Sequence, residues 1–225
     1  MGRRPTPPDA ELSTPHRDDD WDDGGGTTVG RYLADVSRAV RALDLDQIEA
    51  VLDTLLGACR RGATVYVIGN GGSAALASHM ACDLGKNTSP DLGTGPGAPA
   101  QVRLRVVALT DNSALLSALG NDIGYSEVFV EQLKSLLRPQ DVVVAISGSG
   151  SSPNVVRALR YAQSVGATTI GLTSTRTSAS AMLACTDVPV VVQSEVMEQI
   201  EDLHTVVNHV LTVHMRERIA SEPSA

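Results

Sequence analysis

The sequence predicts an α/β fold in which a doubly wound sheet of five parallel strands is flanked by helices. Short apolar segments typical of strands alternate with longer segments of helical periodicity from residue 64 onward. Of the 225 residues, 42% are apolar but only 3% are aromatic, so the core must be built from aliphatic side chains. Such a core suits parallel strands that are buried on both faces. Stretches rich in Gly and Ser follow two of the strand segments, and sheets of this kind bind ligands beyond the carboxyl ends of their strands.

The order of the elements follows from the spacing of apolar residues. Two helices are predicted ahead of the sheet, separated near Leu43–Asp46, with Gly62 ending the second one. A long helix is predicted to close the chain, and the connections between parallel strands should be right-handed. The predicted helices span residues 29–43, 46–61, 73–85, 113–119, 125–137, 152–165, 179–184 and 195–218, and the predicted strands span residues 64–68, 104–109, 142–146, 168–172 and 188–192.

The ends of the chain and one internal segment lack this periodicity. Residues 1–27 are rich in Pro, Asp and Gly and are predicted to be a disordered acidic tail, although the surroundings of Trp21 could instead form an acidic motif for a partner. Residues 28–219 are predicted to form a single domain and residues 220–225 a short tail. The Gly/Pro-rich segment 87–101 is either a mobile cover over a site or a neutral insertion.

Charge, cysteine content and hydropathy exclude several classes of protein. The net charge is −8, and residues 1–26 account for half of it with seven acidic and three basic residues, so no basic stripe for nucleic acid is present. Three widely spaced cysteines do not form a disulfide framework and fit a reducing cytoplasm. No apolar run reaches the length of a membrane span. We therefore expect a cytoplasmic protein that binds neither nucleic acid nor membrane.

Two loops at strand ends have the composition of an anion site. The first reads GNGGS, from Gly69 to Ser73, and the second reads SGSGSSPN, from Ser147 to Asn154. Ser152 at the N-cap and Pro153 at the first helical position are a strong signal for a helix start. Glycines allow close approach of the backbone, and free N–H groups at a helix N-terminus favour a phosphate. Neither loop has the spacing of a nucleotide-binding P-loop or of a dinucleotide fingerprint.

Titratable side chains that could change a bound ligand lie on two of the helices. His79 and Asp83 are four residues apart and share a helix face. On the last helix, Glu201 lies on a similar face to both His204 and His209, and periodicity alone slightly favours His204 as its partner. His214 lies further on and is predicted to be on the helix surface.

The order of five motifs resembles the sugar isomerase (SIS) domain. They read GNGGSA, ASHMACDL, ALTDN, SGSGSSPN and IEDLHTVVNHVL, and the resemblance extends from about residue 29 to residue 218. The serine-rich loop is typical of the whole superfamily of phosphosugar-binding proteins. The positions of the histidines make the chain similar to one group, the sedoheptulose-7-phosphate isomerases, also called phosphoheptose isomerases.

The resemblance implies which residues contact a sugar phosphate. The serine-rich loop would hold the phosphate, and the GNGGS loop, an aspartate and residues of the last helix would contact the sugar. Gly148 departs from the family, which usually has threonine there, but its backbone N–H remains a donor. The implied substrate-binding residues are Asn70, Gly71, Gly72, Ser73, Asp111, Asn112, Ser147, Gly148, Ser149, Ser152, Glu198 and Glu201.

The resemblance also implies one zinc ion per site. Its ligands would be His79, Asp83, Glu201 and His209. Asp83 and Glu201 replace a glutamate and a glutamine of the family, and both still offer the oxygen ligands that zinc accepts. Cys82 is an alternative ligand, and His204 is expected to face the substrate or to support a ligand from behind.

The activity implied is that of an aldose–ketose isomerase. It would convert sedoheptulose 7-phosphate to D-glycero-D-manno-heptose 7-phosphate through a metal-stabilised cis-enediolate. Asp83 and His209 would transfer the protons, in an order that the sequence leaves open, with Glu201 as an alternative to Asp83. The family resemblance further implies a homotetramer with sites shared between subunits. Two other functions remain open: a non-catalytic module that binds a phosphosugar or the replication initiator DnaA, and an isomerase of another sugar phosphate.

Overall fold

The structure is a computed structural model that describes residues 27–89 and 103–221. The chain divides into two compact units, residues 1–38 and 39–225, and the described part of the first is the beginning of the first helix. The predictions for the acidic tail with Trp21, for most of the segment 87–101 and for most of the C-terminal tail lie outside the described residues, although Ala220 of that tail still belongs to the last helix. The predicted domain boundaries stay a prediction.

The alternation of strands and helices is confirmed. Two helices precede the first strand, and a long helix ends the described chain. The helices are α1 (Thr28–Arg41), α2 (Leu45–Arg60), α3 (Gly72–Cys82), α4 (Ser113–Asp122), α5 (Val128–Leu136), α6 (Pro153–Val165), α7 (Ser180–Leu183) and α8 (Met197–Ala220), and the strands are β1 (Thr64–Gly69), β2 (Arg105–Ala108), β3 (Val142–Ile146), β4 (Thr168–Ser174) and β5 (Val188–Val192).

The five strands form one parallel sheet with the spatial order β2-β1-β3-β4-β5. In this doubly wound order the chain changes direction across the sheet between β1 and β3, and ligands bind at such a switch point. Gly69 at the end of β1 is in register with Ile146 at the end of β3. The GNGGS and SGSGSSPN loops therefore leave the sheet side by side at its switch point.

Alternate strand residues build an apolar core on each face of the sheet. Val65 and Val144 face one core, which is completed by residues of α2, α3 and α8. Tyr66 and Val143 face the other core, which is completed by residues of α5 and α6. Strands β1 and β3 are buried along their whole length, because helices cover both faces. The low aromatic content of the sequence is reflected in a core built mainly of Val, Leu, Ile and Ala, with Phe129 and Tyr66 among its buried residues.

The winding of two helices differs from the sequence prediction, besides shifts of one to three residues at other helix ends. The helix after β1 was expected to continue to residue 85, but α3 ends at Cys82 and is followed by a π-helical turn, Asp83–Asn87. The predicted helix 125–137 begins as a 3₁₀ turn, Tyr125–Glu127, before α5. Both are changes in winding that the period of apolar residues does not report.

The start of α6 explains how Ser152 is left available for a ligand. Ser152 is the N-cap residue and Pro153 occupies the first turn, as predicted, but the Ser152 hydroxyl makes no capping hydrogen bond to the helix. The hydroxyl is therefore not used by the backbone of α6.

Within residues 27–89 and 103–221, no helix is long and apolar enough to cross a membrane.

Candidate active site

The two loops at the switch point enclose a cavity of about 280 Å³. Its walls come from the GNGGS loop, from the serine-rich loop and from the first turns of α8. This arrangement brings together nine of the twelve predicted substrate-binding residues, Glu201 among them. The lining residues are Asn70, Gly71, Gly72, Ser73, Ile146, Ser147, Gly148, Ser149, Ser152, Met197 and Glu201.

The serine-rich loop is held by bonds that leave polar groups around the cavity. The buried Ser147 hydroxyl accepts a hydrogen bond from the Gly150 backbone N–H at 3.1 Å, which tightens the turn. The carbonyl oxygens of Gly148 and Ser149 accept hydrogen bonds from the hydroxyls of Ser174 (2.8 Å) and Ser178 (2.6 Å). Two acceptors that would repel an anion are thus bonded to protein donors, which favours phosphate binding in this loop.

Two glycines allow α8 to approach the loops closely. A Cβ at Gly72 would lie 2.5 Å from Oε1 of Glu201, and a Cβ at Gly148 would lie 2.6 Å from Sδ of Met197. Glu201 therefore lies directly on the GNGGS loop and Met197 on the serine-rich loop. The close contact with Met197 is the physical reason why a glycine fits at position 148.

A second cavity of about 330 Å³ adjoins the first one. The two share Gly72, Ser73 and Glu201, and the second extends to His79 on α3 and to His204 and Thr205 on α8. A ligand with one end in the serine-rich loop can thus reach the histidine side of the site past Glu201.

His79, Asp83 and His209 form a group that could hold a metal ion. Their ligand atoms all lie within 4.8 Å of one another. Oδ2 of Asp83 is 3.1 Å from Nε2 of His79 and 3.8 Å from Nε2 of His209, and the two imidazole rings are 5.1 Å apart in an edge-to-face arrangement. Two imidazole nitrogens and one carboxylate oxygen are the donor set of many catalytic zinc sites, so these residues fit the predicted zinc ion.

The carboxylate of Asp83 is fixed by neighbouring amides. Asn208 donates a hydrogen bond from Nδ2 to Oδ2 at 3.1 Å, and Asn87 donates one from Nδ2 to Oδ1 at 3.0 Å. Asn87 reaches Asp83 across the π-helical turn that begins there, and such turns frequently occur at functional sites. Asp83 is almost fully buried, whereas the side chains of His79 and His209 are about half exposed.

Other predicted members of the metal site lie outside this group of three. Among the described residues Glu201 and Cys82 do not belong to the group, so the choice of Glu201 as a fourth ligand stays a prediction. His204 is fully buried, and its Nε2 lies 3.1 Å from the Thr173 carbonyl oxygen. His209, and not the buried His204, thus lies beside Asp83. His214 lies on the surface near Glu217, as expected.

Four predicted substrate contacts have their side chains bonded to protein or lie away from the two cavities. The amide of Asn70 is hydrogen-bonded to Asn154. Asp111 accepts a hydrogen bond from the Ser78 hydroxyl. Asn112 caps α4 by accepting a hydrogen bond from the Leu115 N–H at 3.0 Å. Glu198 is exposed and does not line either cavity.

The sequence analysis missed three residues that shape the site: Met197, Asn154 and Asn208. Asn154 follows Ser152-Pro153 directly, and Asn208 precedes His209, so proximity to the motifs was an available signal for both. Met197 lies four residues before Glu201 and shares its helix face. Their roles depend on contacts with other elements, which spacing along the chain does not report.

Comparison with known proteins agrees with this geometry. The SIS domain family matches residues 30–174 of the chain. The phosphoheptose isomerase of Geotalea daltonii is 35% identical over 176 residues, which cover 78% of this chain and 86% of that protein. The phosphoheptose isomerase of Aquifex aeolicus is 34% identical over 191 residues, which cover 85% and 94%, respectively.

Solved structures show the same fold. The phosphoheptose isomerase of Neisseria gonorrhoeae superposes with a TM-score of 0.72 at 28% identity, covering 84% of this chain and 97% of that one. The phosphoheptose isomerase of Francisella tularensis gives a TM-score of 0.74 at 24% identity, covering 84% and 96%. Family match, sequence identity and fold agree, and the chain therefore belongs to the SIS domain family, in its group of phosphoheptose isomerases.

Proposed function

We propose that this isomerase converts sedoheptulose 7-phosphate to D-glycero-D-manno-heptose 7-phosphate. The observation that carries the proposal is the pair of adjoining cavities that share Gly72, Ser73 and Glu201. One is lined by the hydroxyls and N–H groups that suit a phosphate, and the other reaches His79 of the group His79, Asp83 and His209. A sugar phosphate would place its unreactive phosphate in the first cavity and its reactive carbonyl in the second.

The serine-rich loop would bind the phosphate. Hydroxyls of Ser147, Ser149 and Ser152 surround the cavity, and the N-terminus of α6 adds its favourable dipole. These donors carry no charge of their own, so phosphate binding at this loop relies on hydrogen bonds and the helix dipole. The same loop would fix the distance between the phosphate and the carbons that react.

Isomerisation requires two proton transfers at adjacent carbons. In the ketose-to-aldose direction a base removes a proton from C1, the electron pair of that C–H bond forms the C1–C2 double bond, and the carbonyl oxygen at C2 takes up a proton. The enediol then loses its O1 proton, C1 becomes the carbonyl carbon, and C2 takes up a proton. We assign these transfers to the side chains of His209 and Asp83, each through a ring nitrogen or carboxylate oxygen that does not hold the metal, with Glu201 as the alternative to Asp83.

A zinc ion held by His79, Asp83 and His209 would supply a Lewis acid for the two substrate oxygens. The hydrogen bonds from Asn87 and Asn208 would keep the Asp83 carboxylate in one orientation during the reaction. Glu201, which lies between the two cavities, would contact the middle of the sugar.

The proposal is tested by metal analysis combined with a coupled assay on sedoheptulose 7-phosphate. We expect about one zinc ion per site and turnover in both directions. His209→Ala should abolish turnover, whereas His214→Ala, which removes a surface histidine of the same helix, should leave it unchanged. Phosphosugar binding without metal and without turnover would contradict the proposal and favour a non-catalytic binding module. Turnover that survives in His209→Ala would exclude the assigned proton transfer.

The assembly and location of the protein are part of the same proposal. We propose a homotetramer in the cytoplasm, in which neighbouring subunits complete each site. Sedimentation of the purified protein as a monomer with full activity would contradict the shared sites.

A further inference from the structure

We propose that Asn154 is a positioning residue that fixes the two phosphate-site loops relative to each other. The inference rests on the proposed phosphate site at the serine-rich loop. Asn154 itself is 2% exposed and does not line either cavity, so it would act through Asn70 and not by touching the substrate.

The side chains of Asn70 and Asn154 form a reciprocal pair of amide hydrogen bonds. Asn70 donates from Nδ2 to Oδ1 of Asn154 at 2.9 Å, and Asn154 donates from Nδ2 to Oδ1 of Asn70 at 2.8 Å. The two residues are 84 positions apart in the sequence. One N–H and the oxygen of each amide are used in this pair, which fixes the distance and the relative orientation of the two amides.

This pair connects the two loops across the switch point of the sheet. Asn70 belongs to the GNGGS loop after β1, and Asn154 lies in the first turn of α6 after the serine-rich loop. The cavity of about 280 Å³ lies between these loops, with Gly71–Ser73 on one side and Ser147–Ser152 on the other. The separation of the phosphate donors across the cavity therefore depends on the amide pair.

Two further hydrogen bonds hold the pair in place from both ends. Oδ1 of Asn154 also accepts from the backbone N–H of Val155 at 3.0 Å, which anchors the amide to the start of α6. Oδ1 of Asn70 also accepts from the hydroxyl of Tyr125 at 3.0 Å. Each bridging oxygen thus accepts two hydrogen bonds, and the orientation of each amide is determined by its neighbours.

A positioning role differs from a purely structural one in its effect on the two halves of the site. If the pair sets the spacing of the phosphate donors, its loss should weaken phosphate binding and leave the group His79, Asp83 and His209 unchanged, because those residues lie on α3, the π-helical turn and α8. If Asn154 only stabilised the start of α6, folded variants would bind phosphate as the wild type does.

The experiment measures binding of inorganic phosphate and of zinc by calorimetry for the wild type and for two variants. Asn154→Leu removes both hydrogen bonds without adding charge, and Asn154→Asp keeps the acceptor for Asn70 and Val155 but places an oxygen opposite Oδ1 of Asn70. We expect each variant to bind phosphate about tenfold more weakly, equivalent to about 1.4 kcal/mol, with unchanged zinc affinity. In the isomerase assay KM should rise by a similar factor with a smaller change in kcat.

Controls separate misfolding from a failed inference. Gln163→Leu removes an amide hydrogen bond to Asp187 at the other end of α6 and should leave phosphate affinity unchanged. Tyr125→Phe removes the hydrogen bond from the Tyr125 hydroxyl to Oδ1 of Asn70. Because Tyr125 is exposed, this variant should fold even if the Asn154 variants do not. It should also weaken phosphate binding, by a few-fold. If folded Asn154 variants bind phosphate as tightly as the wild type, the inference is overturned and the proposed function stands. If the Asn154 variants do not fold, wild-type phosphate affinity in Tyr125→Phe has the same consequence. Absence of phosphate binding by the wild type would overturn the phosphate site and the inference together.

Discussion

His204 gives the protein a measurable dependence of stability on pH. Its ring is fully buried in α8, and Nε2 lies 3.1 Å from the carbonyl oxygen of Thr173. Because a carbonyl can only accept, Nε2 must carry the proton of the neutral ring. Burial lowers the pKa of His204 from 6.5 to about 4, and the bond to the Thr173 carbonyl opposes this effect only in part. At low pH the protein must therefore either unfold or keep a charged imidazolium of His204 buried.

The magnitude follows from the two pKa values. The folded pKa of about 4 is below the unfolded value of 6.5, so the unfolded chain takes up the proton first as the pH falls. The stability that depends on a neutral His204 is complete above pH 6.5 and is lost progressively down to about pH 4. One pKa unit corresponds to about 1.4 kcal/mol, so the free energy of unfolding should fall by roughly 3 kcal/mol over this interval.

The assay is urea unfolding of the wild type and of His204→Gln at a series of pH values between about 7.5 and 4. Glutamine has no titrating proton in this range, and its amide retains a donor for Thr173. Other titrating groups are common to both proteins, so the difference between the two curves isolates His204. Both should be measured with chelator present, so that release of metal does not contribute. Parallel curves for the two proteins would refute the reasoning.

Three other perturbations test the site and its packing. Asp83→Asn keeps the shape of the side chain but removes its charge, so zinc affinity should fall at least about 10-fold, measured by competition with a chromogenic chelator. Chelation of the metal from the wild type should lower the Tm, because the buried Asp83 then loses its cation, and calorimetry with and without added zinc checks this. Gly148→Ala places a Cβ against Met197 and should lower the free energy of unfolding, measured by chemical unfolding, by about 1–3 kcal/mol. Adding Met197→Ala should recover part of this loss. Equal losses in the single and double variants would exclude the contact as the cause.

The sequence was sufficient to predict the sheet and the position of the GNGGS and serine-rich loops at its edge. Strands such as β1 and β3 are continuous apolar runs followed by Gly and Ser, and a parallel sheet places the ends of its strands along one edge. Pairing of His79 with Asp83 could also be predicted, because residues four apart on a helix face the same side.

Contacts between distant elements were beyond the sequence. Helical period alone slightly favoured His204 over His209 as the partner of Glu201, but the packing of α8 buries His204 and brings His209 to Asp83. The amide of Asn70 was taken as a substrate contact because nothing along the chain shows that Asn154 faces it. The π-helical turn at Asp83 also escaped prediction, since it changes the winding of a helix without changing its composition.

Helix α8 sets a constraint on how this chain can change in length. Glu201 faces the phosphate-site loops and His209 faces Asp83, eight residues further along one uninterrupted helix. Each residue inserted between them would turn His209 by about 100° and move it by about 1.5 Å, enough to take its imidazole away from Asp83. Descendants of this sequence can therefore accept insertions in surface loops, but the interval from Glu201 to His209 must be inherited at constant length.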